Sequence, residues 1–248
     1  MKGNVYTRFL QAFKITFVSF FTIVLANAVQ AQNNNESNPN PTPGIQAGTI
    51  DDLPLKPFRM PSLQEVGGSP FLTSDYQNGT VELGQGRVVS GVSVKFNTFN
   101  NAILVLKNGQ DLKLDFFELV SYELPDGKGE TRHFIFKAGY PSIDNHSDNS
   151  IYQVLSTGSK VHLLKYITQK IEESSIMGDF GRREIVTTEQ LYLYFPGGEM
   201  KRRKPGKQSI IDALPGMAEK IEEIATKNKL KLKSESEITT LIDELNKP

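Results

Sequence analysis

The chain of 248 residues has no cysteine and no tryptophan. Without cysteine it has no disulfide staples, no thiol nucleophile, no thiolate metal site and no thiol for lipidation. Without tryptophan it lacks the largest stacking platform for carbohydrate, although eight tyrosines remain. Charge of one sign is not in excess, with 28 Lys plus Arg against 28 Asp plus Glu. Such a chain has no global electrostatic case for nucleic acid. Its longest apolar run, Ile15 to Leu25, is about half of the ~20 residues that a spanning helix needs.

That run belongs to an export signature. Lys2, Arg8 and Lys14 make a positive start, the apolar run follows, and Ala26-Asn27-Ala28 and Val29-Gln30-Ala31 close it with small residues. This is the layout of a secretory signal peptide over residues 1–31, with cleavage expected between Ala31 and Gln32. A retained anchor is the competing reading, opposed by the short run and the polar flanks Gln11, Lys14, Asn27 and Gln30. Removing three basic and no acidic residues leaves 25 against 28, a net charge of −3 for Gln32 to Pro248. No transmembrane segment is expected after cleavage.

Residues 32–66 read as a polar, Pro-rich spacer. Asn33 to Gly44 has almost no apolar content and cannot repay the entropy of ordering. Leu53, Leu55, Phe58, Met60 and Leu63, set among Pro54, Pro57 and Pro61, read either as a continued tether or as a strap lying across the domain. Gly67-Gly68-Ser69-Pro70 marks the start of a β domain expected over residues 67–206.

Period-two alternation dominates that domain. Val81 and Leu83, then Val92, Val94 and Phe96, alternate with polar neighbours, while Ala102 to Leu106 is apolar throughout and reads as buried on both faces. Asn108-Gly109 supplies a hairpin turn, after which Leu112, Leu114 and Phe116 continue the pattern. Further strands are expected over residues 117–124, 132–137, 151–155, 161–167, 190–195 and 199–203. They are separated by turns at Pro125-Asp126-Gly127, Gly158 and Pro196-Gly197-Gly198, and by a loop from Gly139 to Ser150. Eight or nine strands with short connections predict a mainly β fold, an antiparallel meander forming a curved or barrel-like sheet.

Residues 207–248 predict helices packed on that sheet. Ile210, Ile211, Leu214, Met217, Ile221 and Ile224 recur at helical spacing, with Pro215 placed in the first turn of the longer helix. Ser234-Glu235-Ser236-Glu237 is a capping box ahead of a stripe of Ile238, Leu241, Ile242 and Leu245.

No constellation spells out a reaction. His133 and His162 stand alone in strand patterns, without a second histidine or glutamate at metal-binding spacing. The loop from Asp144 to Asn149, with His146, gathers oxygen donors but fails the calcium-loop template: position six is Asn149 rather than Gly, and position twelve is Leu155 rather than Glu. Residues 198–208 fail the phosphate-loop spacing at Lys201 and Gln208. What remains there is a basic cluster of Lys201, Arg202, Arg203, Lys204 and Lys207. It reads either as a contact for anionic lipid headgroups or lipopolysaccharide phosphates, or as charged edge protection. Asp115 and Glu118, three apart, do not converge as a glycosidase pair on a regular strand. Tyr192 and Tyr194 share one face, as a stacking surface or as cross-strand packing. No catalytic residue, cofactor or metal is expected.

Gly68-Ser69-Pro70-Phe71-Leu72, Gly79-Thr80-Val81-Glu82-Leu83, Tyr152-Gln153-Val154-Leu155 with Gly158, Leu163-Leu164-Lys165, Tyr192 to Gly198 and the amphipathic tail follow one another along the chain. This order of motifs resembles a family of uncharacterised exported proteins typical of Bacteroidota. The resemblance covers residues 65–246. It implies a β-rich fold and a place in the periplasm or at the outer-membrane periphery of a Gram-negative bacterium, and it transfers no activity and no site. The expected function is a non-enzymatic envelope protein binding another envelope protein or a glycan, with peripheral membrane contact through the basic cluster. A hydrolase of envelope polysaccharide and a carrier of apolar cargo are the alternatives.

Overall fold

The computed structural model describes residues 45–63, 65–125, 130–173, 181–203 and 206–248. The signal segment 1–31, residues 32–44 of the spacer, Asp126 and Gly127 of one turn, and Lys204 of the basic cluster lie outside the described residues. The described chain is mainly β, with one mixed, unclosed sheet of thirteen strands and three helices after it.

The strands are β1 (Gln46–Ala47), β2 (Leu55–Pro57), β3 (Val66–Gly67), β4 (Gln77–Leu83), β5 (Arg87–Asn97), β6 (Ala102–Lys107) and β7 (Gln110–Leu114). They continue as β8 (Leu119–Pro125), β9 (Thr131–Lys137), β10 (Tyr152–Ser156), β11 (His162–Glu173), β12 (Arg183–Phe195) and β13 (Glu199–Arg202). The helices are α1 (Lys207–Ala213), α2 (Ala218–Lys227) and α3 (Glu235–Asn246). The sheet runs β13-β12-β11-β10-β9-β8-β4-β5-β6-β7-β2, with β1 added parallel to β5 and β3 parallel to β12.

One connection explains why this sheet curves. The chain leaves β7 at Leu114 and begins β8 at Leu119, yet β8 pairs with β4, on the far side of β5 and β6. Five peptide steps reach at most ~18 Å. In a flat sheet the two strands would lie four spacings apart, about 19 Å. The link is also tied at both ends, with the Asp115 amide donating to the Pro54 carbonyl and the Glu118 amide to the Glu82 carbonyl. The β4–β7 half must therefore roll towards β8.

Its inner face holds the first core, which includes Val81, Val94, Phe96, Ile103, Val105, Val120, Tyr122 and Phe136. The strap reading of the second half of the spacer is seen here: Leu53, 6% exposed, joins this core, and Leu55–Pro57 pairs with β7. Ala102 to Val105 is buried on both faces.

Towards β13 the alternation sorts side chains onto two covered faces. Leu163 pairs with Leu193, and the next pair, Leu164 with Tyr192, points the other way. Leu163 and Leu193 pack with Ile210, Leu214, Ile221, Ile238, Leu241, Ile242 and Leu245 of the helical tail. Leu164 and Tyr192 pack with Tyr140, Tyr152 and Val154, next to the loop between β9 and β10. Asn101 ties that loop to the β5–β6 turn, its Oδ1 accepting from the Ile151 amide at 2.7 Å and its Nδ2 donating to the Ile151 carbonyl at 2.9 Å.

The capping box at α3 forms as expected, with the Glu237 amide donating to Ser234 Oγ and the Ser234 amide to the Glu237 carboxylate. Several boundaries shift by one or two residues, and three differences have a physical reason. The longer helix begins at Ala218 instead of Pro215, because Pro215 is followed by Gly216 at φ +84°, a left-handed residue that no helical first turn accepts. Phe116 lies beyond the end of β7 and is 64% exposed, since the chain there turns towards β4. Finally β11 and β12 run on past Ile167 and before Gln190 as a long hairpin, Thr168–Glu173 against Arg183–Thr188, with β3 added beside Arg183 and Glu184.

Candidate functional site: a charged cleft beside helix α3

Lys165 interrupts an apolar run in β11, and strand alternation sends it to the helix-covered face between Leu163 and Ile167. Its side chain is 12% exposed. A buried ammonium needs acceptors, and two elements supply them. Glu235, the first residue of α3, takes Lys165 Nζ at 3.2 and 3.0 Å with its two carboxylate oxygens. Glu189 of β12 approaches the same nitrogen at 3.8 Å. Its carboxylate is thus the less satisfied of the two.

Arg203, immediately after β13, closes the other side. Its amide donates to the Leu191 carbonyl, which continues the β12–β13 pairing and fixes the residue over Leu191. The residue is 9% exposed. Nη2 donates to the Leu232 carbonyl at 3.1 Å, whereas Nε is out of water's reach and has no acceptor among the described residues. No carboxylate lies within ion-pair distance of this guanidinium among those residues either. Burial pulls its pKa below the usual arginine value.

Gln190 holds the rim, donating to the Leu191 and Arg203 carbonyls and accepting from Arg202 Nη2. Lys165, Glu189, Gln190, Leu191, Arg203 and Glu235 together line a cleft of about 250 Å³. It presents two cations and two anions, and one of the cations has no counter-charge among the described residues.

The basic cluster read from the sequence is divided by the same alternation. Lys201 pairs with Glu199 at 3.2 Å and lies over the Phe195 ring at 5.3 Å. Arg202 faces the opposite side, 4.0 Å from Asp144. Arg203 turns inward, and Lys207 pairs with Glu222 of α2 at 2.7 Å. The structure does not bring these residues onto one open patch.

Tyr192 is 2% exposed, and its hydroxyl donates to Asp144 Oδ2 at 2.8 Å. Tyr194 meets Tyr140 and His162 edge-on, at 5.0 and 5.2 Å between ring centres. Five of the eight tyrosines, at 140, 152, 166, 192 and 194, gather on this face. His146 joins them, stacked on Tyr166 at 3.7 Å with Nδ1 2.7 Å from the Tyr152 hydroxyl. The oxygen-rich loop is therefore a cover for aromatic packing.

His133 pairs with Glu123 at 3.0 Å on an exposed stretch of β8 and β9. Asp115 pairs with Lys56 at 2.7 Å, while Glu118 is tied by its amide to β4. Among the described residues no group of three or more His, Cys, Asp or Glu could hold a metal, and no helix is long and apolar enough to cross a membrane.

Of the cleft residues, the sequence pattern singled out Arg203 but not Lys165, Glu189, Gln190 or Glu235. The available signal was a single lysine, Lys165, inside the mainly apolar stretch of residues 161–167. No protein-family model, curated protein or solved structure matches the chain.

Proposed function

We propose that the protein is an exported, non-enzymatic binding module of the cell envelope and that the cleft beside α3 is its ligand site. The export layout of residues 1–31 and the resemblance to exported Bacteroidota proteins support the location. The observation that carries the binding reading is Arg203. An arginine only 9% exposed, with its Nε enclosed and no carboxylate partner among the described residues, is costly to the fold, and such costs concentrate where function requires them. A ligand bearing negative charge would supply the missing partner.

A polysaccharide hydrolase is the second reading, because Glu189 and Glu235 converge in the same cleft. Lys165 Nζ, however, stands between them at 3.8 and 3.0 Å. A glycosidase keeps that space for the glycosidic oxygen or a water. The helix–sheet interface is filled by its own side chains, with Ile210, Leu241, Ile242 and Leu245 fully enclosed, so nothing there favours a carrier of apolar cargo.

The test combines two measurements on the purified protein. A small-molecule fraction of the envelope should raise the thermal midpoint of the wild type and leave Arg203→Met unmoved. Incubation with peptidoglycan and envelope polysaccharide should release no soluble fragments. Fragment release, or a midpoint indifferent to the fraction, contradicts the reading.

A further inference from the structure

The chemistry of the cleft narrows the ligand, and the assignment of its class rests on the binding reading of the same site. We infer that the cleft takes a small zwitterion of the α-amino-acid or dipeptide class, with the carboxylate set against Arg203 and the ammonium against Glu189.

Each half of the match comes from an unfilled requirement. Arg203 has one neutral acceptor, the Leu232 carbonyl, and no carboxylate within ion-pair distance among the described residues, so its charge calls for an anion. Glu235 is occupied by Lys165 through both oxygens, whereas Glu189 touches Lys165 only at 3.8 Å and its side chain is 52% exposed at the mouth. Glu189 therefore keeps acceptor capacity for a donor that carries positive charge.

Other ligand classes fit less well. A neutral sugar leaves the Arg203 charge uncompensated. A phosphate dianion satisfies Arg203 but is repelled by Glu189 and Glu235 in the same small space. A ligand with one charge of each sign meets both demands and leaves the cleft neutral. The volume of about 250 Å³ falls below the ~300–1,000 Å³ of sites that hold drug-sized molecules. That size suits an amino acid or two.

The test is calorimetric titration of the purified protein with six probes: alanine, alanyl-alanine, N-acetylalanine, alanine amide, inorganic phosphate and N-acetylglucosamine. Alanine or alanyl-alanine should bind at least ~10-fold more tightly than either singly blocked form, and which of the two binds better tells a free amino acid from a peptide. Glu189→Gln should lose that advantage while leaving N-acetylalanine binding no weaker. Arg203→Lys, which keeps the charge but not the fork, should weaken every carboxylate probe.

Phosphate, N-acetylalanine or the sugar binding as tightly as alanine, with dependence on Arg203, overturns the zwitterion and leaves the binding reading standing. No heat from any probe, together with an envelope fraction that fails to shift the wild-type midpoint, overturns both. Glu189 is exposed at the rim, so its variant serves as the folded comparison should Arg203→Lys fail to fold.

Discussion

Replacing Asn246 by alanine should release the C-terminal end of α3 from the β10–β11 turn. The Asn246 side chain acts as a backbone substitute there. Its Nδ2 donates to the Val161 carbonyl at 2.8 Å, and its Oδ1 accepts from the Lys160 and Val161 amides at 3.2 Å each. At a net ~1 kcal/mol per hydrogen bond, and with some of these groups regaining water, the loss should be about 2–3 kcal/mol. Gly158 gives an independent handle on the same contact. A Cβ added at Gly158 would lie 2.1 Å from Asn246 Cγ, so Gly158→Ala must displace the amide and lose the same bonds. Its cost should also be about 2–3 kcal/mol. In an Asn246→Gly background, which also removes the Asn246 Cβ that would lie 2.5 Å from the new methyl, that collision is gone, and Gly158→Ala should then cost less than ~1 kcal/mol. The double mutant should thus be about 2 kcal/mol more stable than the sum of the single effects. The assay is urea unfolding followed by far-UV circular dichroism, since the chain has no tryptophan to report. Additivity within ~0.5 kcal/mol would sink the prediction, because it would mean that the two positions do not share one set of bonds.

Three further outcomes concern the charged groups. Arg203→Met, which removes a buried unpaired charge at the cost of one bond to Leu232, should change stability in ligand-free buffer by less than ~1 kcal/mol while abolishing ligand binding; a loss above ~3 kcal/mol in urea unfolding would make the residue a structural strut. The Glu237 carboxyl accepts from the Lys233, Lys231 and Ser234 amides, which holds its pKa down to about 2. Being depressed in the fold, it should contribute stability above the unfolded carboxylate value and lose that contribution as pH falls towards 2, an acid step that Glu237→Ala should lack in a circular-dichroism titration. Burial is the chief cause that lowers the His146 and His162 pKa values below the usual 6.5. The unfolded chain then binds protons first on acidification, so stability should fall as pH drops from 6.5 through the folded values, with a flatter slope in His162→Gln.

Most strands of the β domain were legible because at least one side of each is buried, whereas the short β1, β2 and β3 lie in or at the edge of the stretch read as a spacer. Val81 and Leu83, or Val94 and Phe96, carry the period-two signal of a half-buried strand, and Asn108-Gly109 accepts the positive φ that its turn requires. The α3 capping box was legible for a similar reason: both halves of the contact lie within four residues. Pairing between distant strands was not. That β8 returns beside β4 depends on the rolling of the sheet, which no local pattern encodes. The hairpin of Thr168–Glu173 and Arg183–Thr188 carries mostly polar residues on both faces, so alternation falls silent there. At the cleft, Arg203 looks in sequence like Lys201 and Arg202 beside it. Only the covering tail, through the Leu232 carbonyl and Glu235, makes it the buried member. The Tyr192 and Tyr194 pair was visible as a shared face, but whether that face met water depended on a loop some fifty residues earlier.

The most direct measurement is a nitrogen-15 spectrum of the arginine Nε–H groups, recorded on the purified protein with and without alanine and alanyl-alanine. If Arg203 receives the ligand carboxylate, its Nε–H resonance should shift and saturate with one of these zwitterions, and Glu189→Gln should weaken the effect. An Arg203 resonance that stays in place through both titrations would contradict a zwitterion site in the cleft.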